Sequence, residues 1–298
     1  MGCIVEKVIF VHGLGGSAEK TWGNLPKLIW KDDELDIKHE LIFYKFNTSL
    51  FRSPFSKRYL SVNDLAMSLD TVIENTVENN SQIILVCHSL GGLIARRYCL
   101  NLYRCGDLKR IKKLIMFATP HNGSGLTTVA NFISFFHNQL NDLCRDSREI
   151  DDLNSEWERK FLSCSMPILN VIGGQDRVVS KSSAIQFWGN TNVEMIENEG
   201  HLSIVKPIDS ESLSFTILKN FLLGKYRKVP RDKLTALIDG FLKCHQIPTD
   251  GIYFQGDTVT IKFRCNRVVV TDVDVECLIA DFWGTMKTVI AQREVKCQ

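Results

Sequence analysis

An excess of charge of either sign is nearly absent from this chain: 36 Lys and Arg against 34 Asp and Glu leave a net +2 over 298 residues. That balance gives no electrostatic footprint for a nucleic acid or a strongly acidic partner, and basic pairs such as Lys57-Arg58 and Arg96-Arg97 read as solvated faces. An apolar run of 18 residues is also missing, so no membrane-spanning helix is expected. The chain runs almost at once into Lys7-Val8-Ile9-Phe10-Val11, with no charged leader, long apolar stretch or small-residue cleavage site, so no secretory signal is expected. Glu6 stands where a myristoylation signal after Met1-Gly2-Cys3 prefers Ser or Thr, which argues against lipidation. Ten cysteines are present, but none are spaced C-x-x-C or like metal ligands. They are expected to be reduced thiols of a cytoplasmic protein, several of them, such as Cys99, acting as small core apolars. No metal site, P-loop, internal repeat or low-complexity tract is evident.

What is present is a hydrophobic fraction of 44%, enough for one large core plus a small appendix. Apolar β-rich runs alternate with helical patterns. Strands are expected over Val8–Val11, Leu41–Phe46, Ile83–Val86, Ile111–Phe117, Pro167–Ile172 and Val193–Ile196. A helix is expected over Val62–Val77, with Val62, Leu65, Ala66, Leu69, Val72, Ile73 and Val77 on one face, and another over about 210–223. This alternation predicts an α/β fold with a mostly parallel sheet covered on both faces. Between residues 121 and 166 the alternation stops. The insert carries Val129-Ala130-Asn131-Phe132-Ile133-Ser134-Phe135-Phe136 and then a charged helical stretch. It reads equally as a lid over the crevice or as a helical pair packed on its neighbours. A basic, turn-like segment at 224–230 predicts a boundary, dividing a domain of residues 1–228 from a small α+β domain of residues 229–298. That second part is expected to hold a helix around Leu234, Leu237, Ile238 and Phe241, a hairpin turning at Gly256-Asp257, and a closing helix over Val275–Ile290.

The strand Ile83–Val86 enters the tight turn Cys87-His88-Ser89-Leu90-Gly91, and a helical pattern leaves it through Leu93, Ile94 and Arg97. A strand-to-helix turn this sharp leaves the residue at its tip protruding alone, with small residues two positions to either side. Gly91 meets that demand, and Cys87 replaces the usual Gly on the other side. The turn sets the Ser89 hydroxyl at a helix N-terminus, where amide donors and the dipole favour developing negative charge.

A hydroxyl needs a base to become nucleophilic, and on such a sheet an acid and then a His follow the elbow, at the carboxyl ends of strands. Of the four histidines after Ser89, His245 lies in the appendix and His137 in the insert. His121 is preceded by no strand-end carboxylate after Ser89. His201, in a glycine-flanked loop after the last strand, is the expected base. Asp176, delivered by the strand ending at Gly173-Gly174, is the expected acid. Asp151 and Asp152 read as solvated helix residues, and Glu197 and Glu199 are further alternatives. An oxyanion hole would use the backbone N–H of Leu90 and one from the turn after the first strand, Leu14 or else Gly13. That turn also matches a dinucleotide fingerprint, Gly13-x-Gly15-x-x-Ala18. The segment after it, Lys20 to Pro26, is too broken for the long helix a pyrophosphate needs.

The ordered motifs HGLGGSAEKTW, CHSLGG, ATPHNGS, GGQDRVV and GHLSIVKP resemble an α/β-hydrolase over residues 5–224. More narrowly, they resemble the lipase-like branch that includes serine-active-site-containing proteins and GPI inositol deacylases. The resemblance implies an α/β-hydrolase fold, with Ser89, Asp176 and His201 as nucleophile, acid and base, and with His12-Gly13-Leu14 and Leu90 at the oxyanion site. Pocket-lining side chains are expected from His12, His121, Phe132, Phe135 and Phe136. The expected activity is cleavage of carboxylic esters, of lipid or acyl type, through an acyl-serine and without a cofactor or metal. Acyl transfer or thioester cleavage on the same residues are alternatives. So are a hydrolase effector regulated through residues 229–298, by a protein partner or self-association, and a non-catalytic binding protein on the same fold.

Overall fold

The computed structural model of the chain describes residues 5–46, 61–122, 147–159, 166–185, 193–225, 231–255, 258–264, 269–274, 286, 289–291 and 293. They divide into two units, Met1–Ser163 with Pro167–Leu223, and Cys164–Met166 with Gly224–Gln298. In the first unit the strands β1 (Glu6–Val11), β2 (His39–Tyr44), β3 (Ile83–His88), β4 (Ile111–Phe117), β5 (Ile168–Gly173) and β6 (Val193–Ile196) form one sheet in the order β2-β1-β3-β4-β5-β6. Every pairing is parallel. All six residues of β3 are buried, which is why it reads as an unbroken apolar run: a central parallel strand has helices on both faces. The chain steps from β1 to β2 on one side and then builds β3 to β6 on the other. The loops leaving β1 and β3 therefore part at their carboxyl ends, and a crevice opens there.

The helices α1 (Leu25–Trp30), α2 (Asp33–Asp36), α3 (Val62–Thr76), α4 (Leu90–Cys105), α5 (Ser147–Arg159), α6 (Lys181–Ile185) and α7 (Leu213–Leu222) cover the sheet. Helix α3 starts at a capping box in which Ser61 and Asp64 exchange side-chain bonds with each other's backbone N–H. Residues 90–100 of α4 are buried all round, since strands, α3 and α5 each pack against it. Helix α5 is the described part of the insert. It buries Ile150, Leu153 and Trp157 on one face, at helical spacing, and leaves Asp151 and Asp152 exposed. Its Glu149 carboxylate accepts the N–H groups of Val62 (3.2 Å) and Asn63 (2.8 Å), a negative charge at the positive end of α3. The Arg96-Arg97 pair, expected on a solvated face, is buried instead. Trp157 covers the Arg96 guanidinium at 4.8 Å, and Arg97 pairs with Glu156, so the insert helix supplies the cover that helical periodicity alone could not reveal.

The second unit holds α8 (Arg231–Cys244) and an antiparallel sheet β7-β8-β9 (Thr249–Gln255, Thr258–Phe263, Val269–Asp274), with residues near its end again helical. Leu234, Ile238, Phe241 and Leu242 of the helix pack on Val259, Ile261 and Phe263 of the middle strand. The alternation of Val259, Ile261 and Phe263 is the signature of a strand with one buried face. Strand β9 was not expected. Its register opposite β8 gives that strand a second partner, beyond the hairpin. Among the described residues no helix is long and apolar enough to cross a membrane.

One buried charge ties the sheet to its helical cover. Lys113 on β4 is buried and its Nζ donates to the carbonyls of Phe221 (3.0 Å) and Leu222 (2.7 Å), capping the negative end of α7. Burial pulls its pKa down to about 8, against the opposing pull of Glu6. Lys113→Ala is expected to cost about 2–4 kcal/mol in urea unfolding, because two helix-end carbonyls lose a charged donor. A loss below about 0.5 kcal/mol, the level of ordinary surface substitutions, would refute that role.

Candidate active site

Strand β3 ends at His88 and α4 begins at Leu90, so Ser89 alone makes the turn, with φ 52° and ψ −125°. Such a backbone costs a non-glycine residue on the order of 1–3 kcal/mol and persists only where its surroundings over-determine it. Here they do. The Ser89 N–H donates to the carbonyl of Phe117 at 2.9 Å, and the Ser89 carbonyl accepts from Gly92 N–H (3.0 Å) and the Thr119 hydroxyl (3.1 Å). A Cβ on Gly91 would lie 2.2 Å from the carbonyl oxygen of Val11, so the first turn of α4 rests directly on the end of β1. Cys87 fills the other small position. It is fully buried, and burial raises its thiol pKa well above the ordinary range, which makes it an apolar filler.

The Ser89 hydroxyl lies 3.0 Å from His201 Nε2, and His201 Nδ1 lies 2.9 Å from Asp176 Oδ2. The His201 and Asp176 side chains are 4% and 2% exposed, so the path is shielded from water. A carboxylate accepts only, which makes Nδ1–H the donor and leaves the Nε2 lone pair to accept the Ser89 O–H. The second Asp176 oxygen accepts the N–H groups of Val178 (2.8 Å) and Val179 (2.9 Å). Burial pushes the Asp176 pKa up, but the bond to His201, its charge and the two amides outweigh it and hold the carboxyl below its ordinary value.

The glycine pair before Asp176 has a steric cause. A Cβ on Gly173 would meet the Glu199 carbonyl oxygen at 2.4 Å, and one on Gly174 would meet the Glu197 carbonyl oxygen at 2.3 Å. The loop carrying the acid thus lies backbone to backbone against the turn leading to the imidazole, joined by Gly174 N–H to Ile196 (2.8 Å) and Gln175 N–H to Glu199 (3.0 Å). Glu197 contributes its backbone here and its residue is exposed, and Arg177 is exposed beside Asp176.

The turn after β1 comes to the same place. A Cβ on Gly13 would sit 2.8 Å from the Ser89 Cβ, which puts that turn's backbone against the serine. His12 is buried, stacked on Phe46 at 4.2 Å, and its Nδ1–H donates to the Gly13 carbonyl at 2.9 Å, bracing the turn. Leu90 is the first residue of α4, where a helix leaves N–H groups without intrahelical partners. His121 is drawn into a different, buried network. Its Nδ1 accepts from Arg96 Nη1 (3.1 Å) and its Nε2–H donates to Asn170 Oδ1 (2.9 Å), while Asn154 bonds its carbonyl and Arg96. Phe132, Phe135, Phe136 and His137 lie outside the described residues. Two participants escaped the sequence reading, His88 and the Arg96–Asn154–Asn170 group. Position in a motif was the only signal for His88. The others depend on contacts between distant segments. Among the described residues no group of His, Cys, Asp and Glu side chains could hold a metal ion.

Three imidazoles at this edge are held neutral by burial. It lowers the pKa of His12, takes His88 down to about 3 with His201 adding to the shift, and takes His121 well below its ordinary value with Arg96 adding. A folded-state pKa below the unfolded one means that the unfolded chain binds more protons once pH falls below about 6.5, so stability drops with falling pH. Each such group contributes up to about 1.4 kcal/mol per pH unit in that window. The expected outcome is a melting temperature that falls steadily from pH 7 to 4.5, before most carboxylates titrate, with a shallower slope in His121→Gln. A flat profile across that range would contradict it.

The family model described as PGAP1-like alpha/beta domain matches residues 5–209, more than half of the chain. Protein SERAC1 of Danio rerio is 22% identical over 256 residues, covering 74% of this chain and 39% of that protein. Protein SERAC1 of Mus musculus is 19% identical over 257 residues, with the same coverage of 74% and 39%. The chain thus spans about two fifths of the length of these curated relatives. Among solved structures, phospholipase PlaB from Legionella pneumophila in complex with thio-NAD has a TM-score of 0.60 and 17% identity, covering 88% of this chain and 68% of that one. Mouse alpha/beta hydrolase domain-containing protein 10 has a TM-score of 0.50 and 15% identity, covering 74% and 90%. These likenesses, with the six-stranded parallel sheet, give the fold as that of the α/β-hydrolases. The chain belongs to the PGAP1-like alpha/beta domain family.

Proposed function

We propose that the chain is a serine hydrolase that cleaves carboxylic esters, with lipid or acyl esters as its substrate class. The observation that carries this reading is the unbroken hydrogen-bonded path from Ser89 through His201 to Asp176, buried at the carboxyl edge of a parallel sheet. In the proposed reaction Ser89 Oγ attacks the ester carbonyl while His201 Nε2 takes its proton. Asp176 holds the Nδ1–H tautomer and balances the imidazolium. Backbone N–H groups of Leu90 and Leu14, or Gly13 in place of Leu14, stabilise the oxyanion. Collapse of the tetrahedral intermediate breaks the bond to the alcohol, which leaves with the proton from His201. Water, deprotonated by the same imidazole, then releases the acid and restores Ser89.

Lipid or acyl esters are favoured as substrates by the PGAP1-like family and by the name of the PlaB phospholipase. Residues 1–228 are proposed as the catalytic domain, and residues 229–298 as a separate α+β domain.

A fluorophosphonate probe is expected to label Ser89, and Ser89→Ala to abolish both labelling and turnover of acyl esters, lowering kcat by roughly 10⁴–10⁶-fold. Asp176→Asn should lower kcat by about 10⁴-fold while leaving the probe site intact, since the imidazole then loses its tautomer. A panel of acyl esters, phospholipids and thioesters read against Ser89→Ala assigns the substrate class. Full esterase activity in Ser89→Ala would overturn the proposal.

A further inference from the structure

We propose that His88 is the positioning residue for His201: its ring N–H grips the backbone of the base and sets that imidazole against the Ser89 hydroxyl. The inference rests on the serine-hydrolase reading of the same site. His88 Nε2 lies 2.8 Å from the backbone carbonyl oxygen of His201 and, as an N–H, donates to it. The ring is buried, its centroid stands 5.1 Å from that of His201, and Trp22 approaches edge-on at 6.4 Å. His88 is also the residue before Ser89 and the last of β3, where register opposite Phe117 fixes its backbone. One side chain therefore joins the strand that presents the hydroxyl to the loop that presents the base.

The loop needs such a hold. Asp176 fixes the tilt of the His201 ring through Nδ1, but the ring can still translate along the sheet edge if its backbone shifts. A bond to the His201 carbonyl removes that freedom at the backbone itself. The charge state suits the task. The charged groups facing His88 are His201, Asp176 and Lys206, and burial followed by the nearness of His201 takes its pKa down to about 3. His88 thus keeps one N–H and does not compete for the proton when His201 takes it from Ser89.

The test uses three variants of the full chain. His88→Phe keeps the ring volume and removes the donor. His88→Gln returns an N–H at about the reach of Nε2. His88→Asn carries one too close to the backbone to reach. The readouts are the rate of Ser89 labelling by a fluorophosphonate, kcat and KM on an acyl ester, and the downfield proton NMR signal of His201 Nδ1–H on Asp176. His88→Phe is expected to slow labelling and kcat by about 10–100-fold, the usual cost of an orienting partner. KM should stay unchanged, and the NMR signal should broaden. His88→Gln should recover most of the rate and the signal. A folded His88→Phe that labels at the wild-type rate with an unaltered signal overturns the proposal, as does His88→Gln behaving like His88→Phe. If His88→Phe does not fold, the contrast between His88→Gln and His88→Asn decides. If the wild-type chain neither labels nor turns over any ester, the hydrolase reading fails on that result. The NMR comparison still reports whether His88 positions His201.

Discussion

The strained backbone of Ser89 is the constraint on which the site depends. At φ 52° it would relax by flattening the turn, and flattening would withdraw the hydroxyl from the crevice. Three segments prevent this. Phe117 and Thr119, at the end of β4, hold the Ser89 amide and carbonyl, and the first turn of α4 is pressed on Val11 through the bare Cα of Gly91. The cost on the order of 1–3 kcal/mol is met by burial of three central strands, whose inward-facing side chains are almost wholly removed from water. Strain at the tip is thus sustained by the apolar runs that define the sheet, which links the most ordinary feature of the sequence to its most unusual residue.

The same edge sorts its histidines by environment. His12 stacks on Phe46 and braces the turn after β1, and His121 is locked between Arg96 and Asn170. Burial keeps both neutral, so they serve as fixed hydrogen-bonding groups. His201 meets both a carboxylate and a hydroxyl. Residue type alone could not separate these roles. Order along the chain, with strand ends as addresses, pointed to the imidazole that lies between Asp176 and Ser89.

That distinction also sets how much of the molecule was legible. Strands Ile111–Phe117 and Val193–Ile196 match their apolar runs residue for residue, and Ser89, Asp176 and His201, read as strand-end residues, lie within hydrogen-bond reach of one another. These features are written in local pattern: period, turn chemistry and motif order. Strand β9 was missed because Val269–Asp274 is short and runs directly into a stretch with helical spacing. Arg96 was misread for a deeper reason. A guanidinium on an apolar helix looks solvated until a distant segment, here Trp157 of α5, closes over it. Lys113, on which the sequence offered no reading, likewise finds its acceptors at the end of a helix more than 100 residues later. Local pattern specifies backbone, whereas the satisfaction of a buried polar group is decided by whichever remote segment packs there.

Helix α5 carries that reasoning into the insert. Two readings were open, a packed helical pair or a cover for the crevice. Its described helix is packed: Trp157 lies on Arg96, Glu149 caps α3, and Glu156 binds Arg97 and Arg104. Yet Asn154 of the same helix also bonds the carbonyl of His121, at the carboxyl end of the sheet, two residues beyond the Thr119 that holds Ser89. Packing and proximity to the site are therefore properties of one helix rather than rival descriptions. The bond from Asn154 to the His121 carbonyl and the bond from Thr119 to the Ser89 carbonyl lie on one loop, two residues apart, so α5 and the serine turn brace the same short segment. In a buried setting such bonds are costly to leave unmade.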